Sequence, residues 1–439
     1  MFLTLERASA CPGSLSNFGD SMINGPRCVF VWLACTLLPV ANSIPSATAG
    51  DAWTGWLGPH RNGWVADFSP PESWPEQLSL AWKINVGEGY GTPLVSGDRV
   101  YQHARQGEDE VITCFDLASG GEIWKRSWPV PFEIGGGGER HGAGPKANPV
   151  MADGRLFTAS INGVVTAWDA ESGDQLWQRD ERKRFSINHP KWGASCSPVV
   201  DGNRLLIHLG NDETGALYAF DVASGETIWS QGDKPISYSS PVVVELHGVR
   251  QVIDWNRDDV AGVDVETGKW LWSYALKHVD PDQNSPTPVQ HRDTIIIGAE
   301  NRGIRSLRPT KTDDGWIVEE AWVLEDLAMN MSTAVMNDGR LFGLSHYDSG
   351  RLFCINADDG SVPWQGRPRL GDHATFLAIP GHIITLTDSG ELRVIDAAAE
   401  EYQAKATYTV SDSPTWAAPV LGANYLLIKD REHLLRWNW

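Results

Sequence analysis

Four decapeptides in this chain are variants of one string: FDLASGGEIW at 115–124, WDAESGDQLW at 168–177, FDVASGETIW at 220–229 and VDVETGKWLW at 263–272. A supersecondary unit that recurs along a chain buries its apolar face only against its neighbours, so this recurrence dictates a repeat architecture. Each unit opens on a small residue, often before proline, followed by an apolar pair. These openings begin at Thr92, Asn148, Ser197, Ser240, Thr287, Thr333, Thr375 and Ala418. Their spacing of roughly 40–55 residues is the period of a four-stranded propeller blade.

Turn and strand signals alternate inside a unit. The second unit divides at Asp153-Gly154, Asn162-Gly163 and Ser172-Gly173, pairs that supply the positive φ of tight hairpins. Short runs of β-branched and aromatic residues lie between them and predict four antiparallel strands. Asp116, Asp169, Asp221 and Asp264 each precede a Ser-Gly or Thr-Gly pair, where a carboxylate can accept backbone N–H groups of the turn. The closing tryptophan, at 124, 177, 229, 272, 322 and 364, falls on the outermost strand and predicts packing against the next blade. The seventh unit has Ala404 in that place.

The eighth unit stops at LLRWNW, one strand short, while LSLAWKINV at 78–86 supplies an unmatched outer strand with Trp82 correctly placed. The expected fold is therefore all-β: an eight-bladed β-propeller of four-stranded antiparallel blades, its ring closed by the N-terminal strand. Residues 78–439 form the propeller and 50–77 an N-terminal extension. Residues 1–49 are read as a leader, with Met22 as an alternative start: Arg27, then an apolar run from Cys28, then Ala47-Thr48-Ala49 describe a secretory signal. Lipid anchoring through Cys35 is not expected, because Trp32-Leu33-Ala34 lacks the small and aliphatic pattern of such sites. The chain is expected to be exported, periplasmic or extracellular, with no transmembrane segment after cleavage.

Beyond the leader lie three isolated cysteines, Cys114, Cys196 and Cys354, an odd count that argues against a disulfide framework and for inert buried thiols. A formal charge of −20 repels phosphate backbones, so no nucleic-acid partner is expected.

The units resemble the pyrroloquinoline quinone (PQQ)-like repeat, A-x-D-x-x-T-G-x-x-x-W, over nearly all of 78–439. WTGWLGPHRNGW at 53–64 is similar to a W-x-G-P-x-x-x-G opening found upstream of such propellers in exported bacterial proteins, with Leu57 where arginine is common. The resemblance implies one of two functions. Quinoprotein dehydrogenases hold PQQ and calcium in the central funnel, whereas the outer-membrane assembly propeller lipoprotein has the same fold, no cofactor and a docking role. The repeat is common to both and does not choose between them. The chain lacks the adjacent cysteines and the long insertions expected of a quinoprotein alcohol dehydrogenase.

Any chemistry belongs to the loops leading into the inner strands, above all RHGAGPKANP at 140–149, which follows a run of four glycines. The candidate funnel residues are Glu88, Tyr90, His141, Lys146, His189, Lys191, Trp192, Asn284, Asn330, His373 and Trp416, with Tyr238 beside them. Glu88, Asn284 and Asn330 carry oxygen ligands suited to calcium, Lys146 and Lys191 suit an acidic ligand, and Trp192 or Trp416 suits a planar one. DWNRDD at 254–259 reads as a hairpin turn, SHYDSG at 345–350 is too compact for a catalytic triad, and His208 reads as a packed strand residue. The expectation is a monomeric, non-catalytic scaffold that binds a protein or polymer partner, with no catalytic residues, no metal and no cofactor. The alternative is a PQQ- and calcium-dependent oxidoreductase acting on an alcohol or sugar. A funnel that senses a small ligand or carbohydrate is a third reading.

Overall fold

The computed structural model describes residues 52–185, 189–279 and 282–439; the leader at 1–49 lies outside the described residues. Among the described residues, thirty-two strands form eight four-stranded antiparallel sheets, seven of them simple meanders. The inner strands of blades one to eight begin at Leu94, Val150, Val199, Val242, Val289, Val335, Ala374 and Val420. In the eighth blade the outer strand is Ser79–Asn85, paired antiparallel with His433–Asn438. The chain thus forms the predicted eight-bladed propeller, closed by its N-terminal strand.

The repeated string works as a lock between blades. The Asp116, Asp169, Asp221 and Asp264 carboxylates accept the N–H of Ser119, Ser172, Ser224 and Thr267 at 2.7–2.9 Å. The glycine that follows each turn has positive φ, 71° at Gly120 and 73° at Gly225. Onto that bare backbone packs the tryptophan of the preceding blade: a Cβ added to Gly225 would lie 2.7 Å from the Trp177 ring. The indole N–H of Trp82, Trp124, Trp177, Trp229 and Trp322 donates to Leu117, Ala170, Val222, Val265 and Ala357 of the next blade at 2.9–3.3 Å.

Deviations from the string have local causes. Blade five replaces the Asp turn with a long hairpin, Ile304–Thr312 and Gly315–Leu324, so Trp272 bonds to Gln251 Oε1 of its own blade at 2.6 Å. Blade eight has no hairpin to its outer strand, which arrives from the other end of the propeller. A blade-seven tryptophan would find no glycine turn to cover, and Ala404 stands there. The N-terminal extension fills this gap: Tyr408 donates its hydroxyl to Pro75 O at 2.8 Å, and Trp74 packs edge-on against Trp439 with centroids 5.4 Å apart.

Around the axis, the small residues that open the units form a belt. The N–H groups of Thr92, Asn148 and Ser197 donate to Asn148 Oδ1, Ser197 Oγ and Ser240 Oγ of the next blade at 2.6–2.9 Å. Thr287 N–H donates to Thr333 Oγ1 at 3.0 Å. Buried backbone N–H groups need partners, and these side-chain oxygens supply them, which explains a side-chain acceptor at these positions.

Cys114, Cys196 and Cys354 are buried free thiols, pushed up by burial to about 11, 12 and 11. Asp254–Asp259 is a hairpin turn closed by Asn256 N–H to Asp259 O at 3.0 Å. His208 is a buried strand residue, 2.9 Å from Asp254 Oδ1. Among the described residues, no helix is long and apolar enough to cross a membrane.

Candidate functional site

The loops leading into the inner strands surround a funnel with a cavity of about 300 Å3. Its floor comes from an unexpected source. Residues 53–65 run beneath it and bond to inner strands around the ring. Trp53 exchanges two backbone bonds with Val95 in blade one, and Met151 N–H of blade two donates to Thr54 O at 2.8 Å. Arg61 Nη1 donates to Pro198 O of blade three at 3.0 Å. Ala378 N–H of blade seven donates to Gly63 O at 2.7 Å. Trp56 faces the cavity and donates its indole N–H to Thr287 Oγ1 of blade five at 3.0 Å. The extension is thus a cross-brace and a floor, which the tryptophans and glycines of WTGWLGPHRNGW signal without saying where they pack.

Seven of the eleven candidate residues line this cavity: Tyr90, His141, Lys146, Trp192, Asn330, His373 and Trp416; so does Tyr238. Four do not. The Glu88 carboxylate lies in a separate recess at the seam of blades eight and one, 3.6 Å from Arg431. Asn284 is buried, accepting from Arg302 Nη2 at 2.5 Å and donating to Asn256 O at 3.0 Å. His189 packs on Phe132 at 4.7 Å, and exposed Lys191 lies over the Trp192 ring at 5.1 Å. Arg140, Gln283 and Glu300 also line the cavity and were not among the candidates. Arg140 belongs to the glycine-rich loop, whereas Glu300 sits in the turn between the second and third strands of blade five, not in a loop leading into an inner strand.

One wall is an aromatic cluster. Trp416 is stacked on His373 with centroids 4.5 Å apart and planes 10° apart, and meets His141 edge-on at 4.6 Å and Tyr90 at 5.6 Å. Burial holds both histidines neutral, with pKa lowered to about 4. A second pair, Trp192 and Tyr238, has centroids 5.8 Å apart. Lys146 donates to Trp192 O at 2.5 Å, and burial lowers its pKa to about 8. Arg140 crosses the mouth to Asp372 at 2.9 Å. On the far side Glu300 accepts from Asn330 Nδ2 at 3.0 Å and from Gln283 N–H at 2.7 Å, and burial raises its pKa.

PQQ is a planar tricarboxylate, and the side chains present do not fit it. A flat ring needs a free aromatic face, yet Trp416 has His373 on one side and His141 and Tyr90 around it. Trp192 carries Lys191 and Tyr238. Three carboxylates need several cations, yet Arg140 is committed to Asp372 and only Lys146 is left to meet them. Calcium takes 6–8 oxygens, and of the three proposed oxygen ligands only Asn330 reaches the funnel. Among the described residues no three His, Cys, Asp or Glu side chains gather as a metal site.

The fold and its interlocking repeat define a PQQ-like propeller. The chain belongs to the family described as outer membrane protein assembly factor BamB, whose model matches residues 108–366. BamB of Moranella endobia is 27% identical over 247 residues, 55% of this chain and 57% of that protein. Quinohemoprotein alcohol dehydrogenase ADH-IIG of Pseudomonas putida is 25% identical over 261 residues, 54% of this chain and 34% of that one. The chain thus matches little more than half the length of the first relative and a third of the second. The crystal structure of BamB from Moraxella catarrhalis shares the fold, with a TM-score of 0.60 at 14% identity over 82% of this chain and 98% of that one.

Proposed function

We propose that this chain is an exported, non-catalytic scaffold without a cofactor, docking a protein partner in the assembly of outer-membrane proteins. The observation that carries the reading is an apolar arc on four consecutive blades. Leu80, Ile123, Leu176 and Ile228, on the outer strands of blades eight, one, two and three, are 40–47% exposed. Ile123, Leu176 and Ile228 immediately precede the locking tryptophans, so strand alternation turns each away from the lock and toward solvent. Single exposed aliphatics need no explanation, but the same kind of residue at matched positions of adjacent blades makes an extended docking edge.

The alternative, a PQQ- and calcium-dependent oxidoreductase acting on an alcohol or sugar, draws on the quinohemoprotein relative. The funnel's aromatic faces, already covered by neighbouring side chains, and its single uncommitted cation, Lys146, against the three carboxylates of PQQ, count against it.

The test is site-specific photo-crosslinking in the source cells from positions 123, 176 and 228, with position 317 on blade five as control. Crosslinks to one defined outer-membrane assembly component, lost in Ile123→Asp/Leu176→Asp/Ile228→Asp, are the expected outcome. Equal crosslinking from 317, or none from the arc, contradicts the reading.

A further inference from the structure

Two charged groups on opposite sides of the cavity, Lys146 and Glu300, make no direct ion pair among the described residues, although Arg302 lies near enough to Glu300 to favour its charge. Lys146 leads into blade two; Asn330 leads into blade six, four blades away and so diametrically across an eight-bladed ring, and Glu300 belongs to adjacent blade five. The other charges near the mouth, Arg140 and Asp372, neutralise each other at 2.9 Å, and both funnel histidines are neutral. Lys146 has three N–H donors and uses one on Trp192 O. Opposite it, Asn330 Oδ1 is buried without a hydrogen-bond partner, because the amide nitrogen is turned to Glu300. A buried acceptor left unpaired is costly, so this oxygen awaits a donor. The cavity, about 300 Å3, is at the small end of the range for ligand sites.

We propose that the funnel binds a small zwitterion, a free α-amino acid or dipeptide, with its carboxylate on Lys146 and its ammonium between Glu300 and Asn330 Oδ1. A ligand of one charge leaves either the lysine or the carboxylate desolvated and unmatched, and specificity comes from that penalty. The aromatic walls need present no free face, because they serve as apolar sides around the ligand's middle. Trp56 closes the floor, limiting ligand length. The site goes beyond the scaffold reading and shares no residue with the apolar arc, so the two fail independently.

The test is isothermal titration of a chain beginning at residue 50 with glycine, leucine and a Gly-Leu dipeptide. Each is compared with its N-acetyl and its carboxamide derivative, and glucose serves as the uncharged probe. At least one zwitterion is expected to bind saturably, and blocking either of its ends weakens it at least tenfold. Lys146→Met removes the penalty for the carboxamide, and Glu300→Gln that for N-acetylation. Should a variant fail to fold, the blocked ligands decide on the unmodified chain. No saturable heat with any zwitterion, equal binding of blocked forms, or binding of glucose alone overturns the proposal.

Discussion

If the repeat is a lock between blades, its glycine is replaceable only where no tryptophan covers it. Gly202 and Gly225 provide the comparison within one blade. Both have positive φ, 57° and 73°. A Cβ on Gly202 meets nothing within 4 Å, whereas one on Gly225 meets Trp177 Cδ2 at 2.7 Å and Cε3 at 2.9 Å. Gly202→Ala therefore costs only the left-handed strain, about 1–2 kcal/mol. Gly225→Ala adds overpacking of a buried ring that is also fixed through Val222 O, a further ~1–3 kcal/mol. The assay is urea unfolding of the two variants, each also made in a Trp177→Leu background. The gap between them is expected to be about 1–3 kcal/mol and to close when the ring is removed, since the overpacking term needs the ring. Equal costs in the parent chain, or a gap that survives Trp177→Leu, refute the lock.

Three further outcomes follow from the same geometry. Trp56→Ala removes the floor and its bond to Thr287, and is expected to lower stability by about 3 kcal/mol, read by urea unfolding. Lys429 is buried at the seam, donating to Gly89 O, Asp430 O and Arg431 O at 2.6–3.2 Å, and burial lowers its pKa to about 7. The unfolded chain then binds a proton that the folded chain releases, so stability rises from about pH 7 toward pH 10 at up to about 1.4 kcal/mol per pH unit; Lys429→Met, though less stable, loses that slope in denaturation midpoints. Cys114, Cys196 and Cys354 should react with a maleimide only after denaturation in a chain beginning at residue 50.

The ring was legible in the sequence because its determinants are local. An aspartate, a positive-φ glycine and a tryptophan within about ten residues specify turn, strand and lock together, and the departures at Ala404 and in the blade-five hairpin mark where the lock is absent or altered. The funnel was less legible because position in a leading loop does not fix the direction of a side chain. Glu88 and Lys146 occupy comparable loops, yet one turns to the blade seam and the other to the axis. Trp56 falls outside the repeat and Glu300 in a turn that leads into no inner strand, and their place depends on contacts with other blades: Trp56 meets Thr287, and Glu300 meets Asn330. Composition alone marks the glycine-rich loop that carries Lys146 and His141. The free Oδ1 of Asn330 exists only once Glu300 claims its amide nitrogen.

We propose, above all, that the repeat is architectural and that the funnel is not a quinone site. Titrating the chain with PQQ and calcium, while following tryptophan fluorescence and dye reduction with a panel of alcohols and sugars, tests it directly. The account predicts no saturable quenching and no turnover. Saturable quenching with substrate-dependent dye reduction would contradict it.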